Sequence, residues 1–386
     1  MHRALIESVL FASLLVGPLG PSTAPFPGRL DTCGRALCAP DGSRFSWRGV
    51  TAFGLVDLIA DDREADAQAF MTWAARTGFT VIRVLAMNRG WMDLSPADGR
   101  RALPRALSLA REHGLYVQVV ALAGTGTPAL SSDAFLHEQV RAIAQLCAAA
   151  DNCVLELANE PYHSSQAALN DPVRMRRLQR DVPSGLPVAW GAARDHRSDD
   201  MAGGTYAVAH VARRGTRWDR VSRVRELGEL SRRTRKFVVD SEPIGAAETP
   251  HPSRRDSEPG AFFAQGLLAR MFDVGTTFHC DDCLVANVPG PVQQRCAEAF
   301  VAGATLPSPA TALTPVAVGA PSAPVARLGP LSTQARTFAA VGPSEGIVLV
   351  LGTSQPPHPS WQHGWEPTDH VSQWPEVHAW RVVKAR

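Results

Sequence analysis

Residues 152–161 read NCVLELANEP, and this stretch decides the fold. Its middle, VLELA, is an apolar run broken only by Glu156. An apolar run of that length without strict alternation is a strand covered on both faces, as in a parallel sheet packed by helices. The run ends on Asn159, Glu160 and Pro161, an amide and an acid at a strand's C-terminal exit. In a (β/α)8 barrel that exit is where catalytic groups gather. A plain surface turn is the ordinary reading of Asn-Glu-Pro taken alone, and its position after a buried strand argues against that reading.

Outward from this stretch the same kind of segment recurs. FSWRGVTAF (45–53), FTVIRVLAM (79–87) and LYVQVVALAG (115–124) precede it, and PVAWGAA (187–193), TYAVAHVA (205–212), KFVVDSEP (236–243) and GTTFH (275–279) follow. Helical patterns fall between them at 62–76, 95–113, 132–150, 171–180, 218–232 and 260–272, several opening on Asp or Ser caps. Eight strands alternating with helices from residue 45 to 285 match the ~250 residues of an α/β (β/α)8 TIM barrel. A doubly wound open sheet is the structural alternative. The expected organisation is a signal peptide at 1–25, a barrel at 26–300, a Pro/Ala-rich linker at 301–330 and a small β-rich appendage at 331–386.

The second chemical signal is Asp240-Ser241-Glu242-Pro243, ending the seventh strand. It brings a second carboxylate to the same end of the barrel. Two carboxyls flanking one bond are what glycoside hydrolysis requires, one held protonated and the other ionised. Asp240 competes with Glu242 for the second role, and a helix cap or salt bridge is the structural reading of either.

With both motifs quoted, the chain resembles the glycoside hydrolases of clan A, family 5 and its cellulase-like relatives in particular. The resemblance covers roughly 45–285 and rests on VLELANEP (154–161) and FVVDSEP (237–243). It implies Glu160 as acid/base and Glu242 as nucleophile. It also implies that Arg83, Asn159 and His210 bind and orient the sugar and tune the carboxylates. Tyr162 and His279 are expected beside the substrate. Ala212 stands where family 5 commonly carries a tyrosine, Phe278 and His279 stand in place of its strand-eight tryptophan, and no histidine marks strand three near Ala121. Glu156, on the inward parity of its strand, reads as an ion-pair partner inside the barrel.

The expectation is therefore a retaining glycosidase acting on a poly- or oligosaccharide and needing no cofactor and no metal. Carboxyls ~5–5.5 Å apart give a covalent intermediate and retention, whereas ~6.5–9.5 Å admits water and inverts. A non-catalytic carbohydrate-binding barrel is the rival reading.

Composition narrows the remaining classes. The 386 residues are 45% hydrophobic with a net charge of +2, which excludes a disordered chain and a global footprint for nucleic acid. All but two of the 39 basic residues are arginine, a bias of composition. The N-terminus, Arg3 followed by VLFASLLVGPLG (9–20), resembles a secretory signal too short to span a membrane. The mature protein is thus expected to be secreted or periplasmic, with no membrane partner. Seven cysteines at short spacings suit local disulfides with at least one thiol left over. His279, Cys280 and Cys283 are also a conceivable metal cluster, and a disulfide is the expected alternative.

Other motifs read as structure. GPSEG (342–346) mimics a serine-hydrolase elbow, but a strand follows it, so a hairpin turn is expected. GTGTPA (124–129) mimics a dinucleotide fingerprint but lies after the third strand, and reads as a mouth loop. Asp195, His196, Asp199 and Asp200 read as a solvated loop. Trp361, Trp365, Trp374 and Trp380 are expected to fill a small core, with stacking on sugars the alternative.

Overall fold

The computed structural model describes residues 26–384 except 90–91, 195–201, 211–212, 214, 250–254, 307–312, 321, 329–334, 342 and 355. The signal-like segment 1–25, the 195–200 acidic loop, Ala212 and Gly342 lie outside the described residues. Eight parallel strands form the barrel: β1 (Arg48–Thr51), β2 (Val81–Leu85), β3 (Tyr116–Leu122), β4 (Cys153–Ala158), β5 (Val188–Gly191), β6 (Ala207–His210), β7 (Val238–Asp240) and β8 (Gly275–Cys280). β8 pairs with β1, and β5 continues into Ala193–Arg194, which pairs with β6, so the sheet closes on itself. Closure excludes the open-sheet alternative.

The helices wrap this wall. α1 (Leu55–Ala60) and α2 (Glu64–Thr77) follow β1, α3 (Pro96–Glu112) follows β2, and α4 (Asp133–Ala149) follows β3. α5 (Pro172–Gln179) follows β4, α6 (Arg217–Ser222) and α7 (Val224–Thr234) follow β6, and α8 (Pro259–Phe272) follows β7. Ser95 and Ser132 cap α3 and α4 through their side chains, which is why those helices start where the sequence places them. The 218–232 pattern is split at Arg223, and α6 carries a Thr216/Asp219 capping box of its own.

Two interruptions of the wall set up the mouth. Gly191, at φ +143°, pairs with Ala158, and a Cβ there would lie 2.3 Å from the Ala158 carbonyl oxygen. Glycine lets β5 close on the last residue before Asn159 and Glu160. Gly191→Ala is expected to destabilise the fold by about 1–3 kcal/mol, read as a lowered denaturation midpoint. On β7, pairing with β8 runs through Asp240, lapses, and resumes at Gly245–Ala246 opposite His279–Cys280. Glu242 sits in that gap, released from the wall and turned toward the mouth. Asp240 remains in the wall, fully buried.

After β8 the chain forms α10 (Pro291–Ala304), preceded by the short α9 (Asp281–Leu284). The sequence reading assigned no helix to this segment. It packs closely on α8, where a Cβ on Gly266 would meet the Phe300 carbonyl at 2.2 Å.

The C-terminal strands are β9 (Thr314–Val316), β10 (Arg336–Val341), β11 (Glu345–Leu351), β12 (Trp365–Trp374) and β13 (Val377–Lys384), an antiparallel sheet in the order 9-10-11-13-12. One face, with Phe338, Ile347, Leu349 and Val377, joins the barrel's own core. Trp374 packs at a tilt against Phe263 of α8, ring centroids 4.4 Å apart. The other face holds Val348, Val350, Trp380 and Val382, with Trp361 and Trp365 against it. These tryptophans thus pack as core. The 301–330 stretch is corrected from a linker. It completes α10, supplies edge strand β9, and pairs Val325–Arg327 with Ser360–Trp361. Pro315 tolerates its place in β9 because an edge strand need not donate on both sides.

Three disulfides occur: Cys33–Cys38, Cys147–Cys153 and Cys280–Cys283, with Cys296 a buried free thiol. The disulfide reading of Cys280 and Cys283 therefore replaces the metal cluster. The 343–344 turn joins β10 to β11 as a hairpin, and 124–131 is a loop ahead of α4. Among the described residues no helix is long and apolar enough to cross a membrane.

Candidate active site

The site is assembled around a fully buried arginine. Arg83 stands in the middle of β2 facing the barrel axis, because inward positions alternate along the strand. Its Nε and Nη2 donate to the two oxygens of Glu156 on β4 at 2.9 and 3.0 Å, a bidentate pair. Gln118 of β3 donates to the same carboxylate at 3.0 Å. Nη1 reaches Glu242 Oε1 at 3.0 Å, and Nη2 also donates to Asn159 Oδ1 at 2.7 Å. The Asn159 oxygen is thereby committed, which leaves its amide NH2 to meet a hydroxyl. Glu156 is the interior ion-pair partner that its strand parity implied.

Glu160 and Glu242 converge from β4 and β7. One oxygen of each, with a ring nitrogen of His210 from β6, lie within 4.8 Å of one another. His210 Nδ1 is 3.4 Å from Glu160 Oε1, and its Nε2 is 3.8 Å from Glu242 Oε1 and 3.0 Å from Ser241 Oγ. Tyr162 donates its O–H to Glu160 Oε1 at 2.7 Å and lies 3.0 Å from His210 Nδ1. Tyr162, expected beside the substrate and near Glu160, thus holds the Glu160 carboxylate. His279, at the end of β8, is buried with Nδ1 3.0 Å from Thr51 Oγ1.

Arg213, just past β6, was not singled out by sequence reasoning. Its Nε and Nη2 donate to the Glu242 carbonyl oxygen at 3.1 and 2.7 Å, and Nη2 lies 3.2 Å from Glu242 Oε2. Both oxygens of Glu242 thus face a guanidinium. The only signal in the sequence is an arginine three residues beyond His210, next to a second arginine that nothing distinguishes from it.

The electrostatics follow from these contacts. Burial pushes the Glu242 carboxyl up, but the charges of His210 and Arg83 outweigh it and hold it at about 2. Burial likewise pushes Glu160 up, and the hydrogen bond and charge of His210, with the Tyr162 O–H, bring it to about 2 in the free protein. His279 is held well below its ordinary value, chiefly by burial and then by Arg213, so it is neutral. Burial opposes the charge on Arg83, and Glu156 and Glu242 overcome it, so the guanidinium is held more firmly charged than usual.

A closed (β/α)8 barrel with a carboxylate from strand four, another from strand seven and an arginine tying the second in place defines the class to which this architecture belongs. Its fold is that of family 5 glycoside hydrolases. A family 5 glycoside hydrolase from Bacteroides vulgatus ATCC 8482 superposes with a TM-score of 0.68 at 12% identity, covering 93% of this chain and 94% of that one. Such coverage extends through the C-terminal sheet. A β-glucanase from Saccharophagus degradans, in complex with cellotetraose, gives 0.53 at 12% identity over 73% of this chain and 97% of its own. A GH5_18 protein from Streptomyces cattleya, in complex with GlcNAc, gives 0.50 at 19% identity over 68% and 81%. No protein-family model matches the chain, and no curated protein matches it.

Proposed function

We propose that the protein is a retaining glycosidase that cleaves the O-glycosidic bonds of a poly- or oligosaccharide. The observation that carries the reading is the pair itself: carboxylate oxygens of Glu160 and Glu242 within 4.8 Å at the C-terminal mouth. That spacing is nearer the ~5–5.5 Å of retaining pairs than the ~6.5–9.5 Å of inverting ones, and so favours direct attack on the sugar.

Glu242, ionised and aimed by Arg83, attacks the anomeric carbon. The glycosidic C–O bond breaks as the leaving oxygen takes a proton from Glu160, and a glycosyl ester forms on Glu242. Glu160, now a carboxylate, removes a proton from water, whose oxygen attacks the same carbon and frees Glu242. The Asn159 amide is placed to bind the hydroxyl next to that carbon.

Glu160→Ala is expected to slow cleavage of glycosides with poor leaving groups by about 10²–10⁴-fold, the range of general-acid catalysis. Cleavage of 2,4-dinitrophenyl glycosides, whose leaving group needs no proton, falls far less in its first step. Steady-state rates across both substrate types check this, and equal losses on both would remove Glu160 from the acid role. NMR of the first product anomer tests retention. A sugar-binding barrel would bind the panel of glycans and hydrolyse none of it. Export is supported by the three disulfides, which persist in oxidising compartments.

A further inference from the structure

Glu160 poses a chemical problem. The proposed acid must present a proton to the leaving oxygen, yet His210 and Tyr162 hold its carboxyl ionised in the free protein. The solution lies in how three side chains are threaded together.

The Tyr162 phenol has one hydrogen, and it points to Glu160 Oε1 at 2.7 Å. The phenol oxygen lies 3.0 Å from His210 Nδ1. With its only hydrogen committed to Glu160, the phenol can only accept from that nitrogen, so Nδ1 carries a hydrogen. The chain runs one way: Nδ1–H to phenol oxygen, phenol O–H to carboxylate. The direct Nδ1 to Oε1 distance is 3.4 Å, longer than either link.

We propose that Tyr162 is a proton relay, carrying a proton from His210 to Glu160 so that Glu160 can act as the acid. The step balances. Starting from an imidazolium, whose Nε2–H donates to Ser241 Oγ at 3.0 Å, Nδ1 releases its proton to the phenol oxygen while the phenol O–H passes its own to Glu160 Oε1. The products are a neutral imidazole, an intact phenol and a protonated carboxyl. No oxidant, metal or co-reactant takes part. A sugar entering the mouth displaces water from Glu160, and desolvation penalises the carboxylate, which drives the transfer. The inference rests on the glycosidase reading of the same site.

The groups facing this chain come from every neighbouring element. Ser241 Oγ and Glu242 approach His210 Nε2 from β7, and Arg83 of β2 reaches the chain's neighbours through Asn159 and Glu242. His163 adds charge beside Glu160, and Gln166 Oε1 accepts from the Glu160 backbone N–H. Arg213 faces the far side of Glu242.

Tyr162→Phe removes the relay oxygen and keeps the ring. On aryl β-glucosides and β-cellobiosides, its kcat/KM is expected to fall about tenfold to a hundredfold for phenyl leaving groups and less than threefold for 2,4-dinitrophenyl. A purely structural role would lower both equally. For wild type, rates in mixed H2O and D2O should bow as two protons move together, and the variant should give a straight line. Equal losses across leaving groups, or identical isotope plots, overturn the relay. Carbon-13 NMR titration of the Glu160 carboxyl needs no substrate, so it separates the two readings. If no aryl glycoside is hydrolysed by wild type, a Glu160 carboxyl that titrates higher in Tyr162→Phe retains the relay contact, and an unchanged titration rejects it.

Discussion

Glu242→Gln is expected to abolish glycoside cleavage, with kcat/KM falling on the order of 10⁴-fold or more, as when a covalent nucleophile is removed. Gln keeps the size of the side chain and one oxygen to accept from Arg83, so the fold should survive. What it loses is the negative charge that attacks the anomeric carbon and that both guanidiniums stabilise. The measurement is sugar release from β-glucans, mannans, xylans and aryl glycosides by wild type and variant. Activity present in wild type and unchanged in the variant would sink the assignment. Asp240, the competing carboxylate, is paired in the barrel wall and fully buried. The pH dependence is set by the same contacts. With its carboxyl held at about 2, Glu242 is ionised through the whole acidic and neutral range, so no acid-side loss near its ordinary value of 4.5 is expected.

Arg83→Ala is the variant with the largest expected effect on stability. It leaves the fully buried Glu156 with only the Gln118 amide, and strips Glu242 and Asn159 of a donor. Removing one partner of a buried ion pair costs about 3–5 kcal/mol because the remaining charge is stranded. That is a large share of the ~5–15 kcal/mol that stabilises a folded domain. Urea or thermal unfolding reads it directly. Replacing Arg83 and Glu156 together by Met should recover most of the loss, since a matched apolar pair of similar volume is often neutral. A double variant destabilised by the sum of the two single losses would show that the pair is not coupled. The pH dependence follows from sign. Glu242 titrates lower folded than unfolded, so it adds stability above about 4.5 that is lost as pH falls toward about 2. Without Arg83 that contribution shrinks, and acid unfolding should begin at higher pH.

Much of this site is legible in the chain because strands impose a period of two and a barrel gathers strand ends. VIRVL, VLELANEP and VVDSEP each show an apolar run carrying polar groups at inward or terminal positions, and the structure brings Arg83, Glu156, Asn159, Glu160 and Glu242 together. His210 follows by the same logic from the end of β6. Other features are not written in any local pattern. Arg213 lies beyond a strand, where no local pattern marks it as an arginine that meets Glu242. Tyr162 sits two residues past Glu160, and only the approach of β6 shows that its hydroxyl joins Glu160 to His210. Helix α10 and strand β9 fall in Pro- and Ala-rich sequence, where local propensity is weak and packing against α8 and β10 decides the conformation.

By itself, then, the sequence determined the strand and helix succession, the parallel barrel, and which acids stand at strand ends, because hydrophobic periodicity and caps act over a few residues. Tertiary structure alone decided that β5 closes onto β6, that the β7 wall opens to release Glu242 while keeping Asp240, and that the C-terminal sheet shares the barrel's core. It also set the distances among Glu160, Tyr162, His210 and Glu242. The physical reason is that proton transfer and charge pairing depend on contacts of about 3 Å between residues far apart in the chain. Such contacts exist only once the barrel has closed.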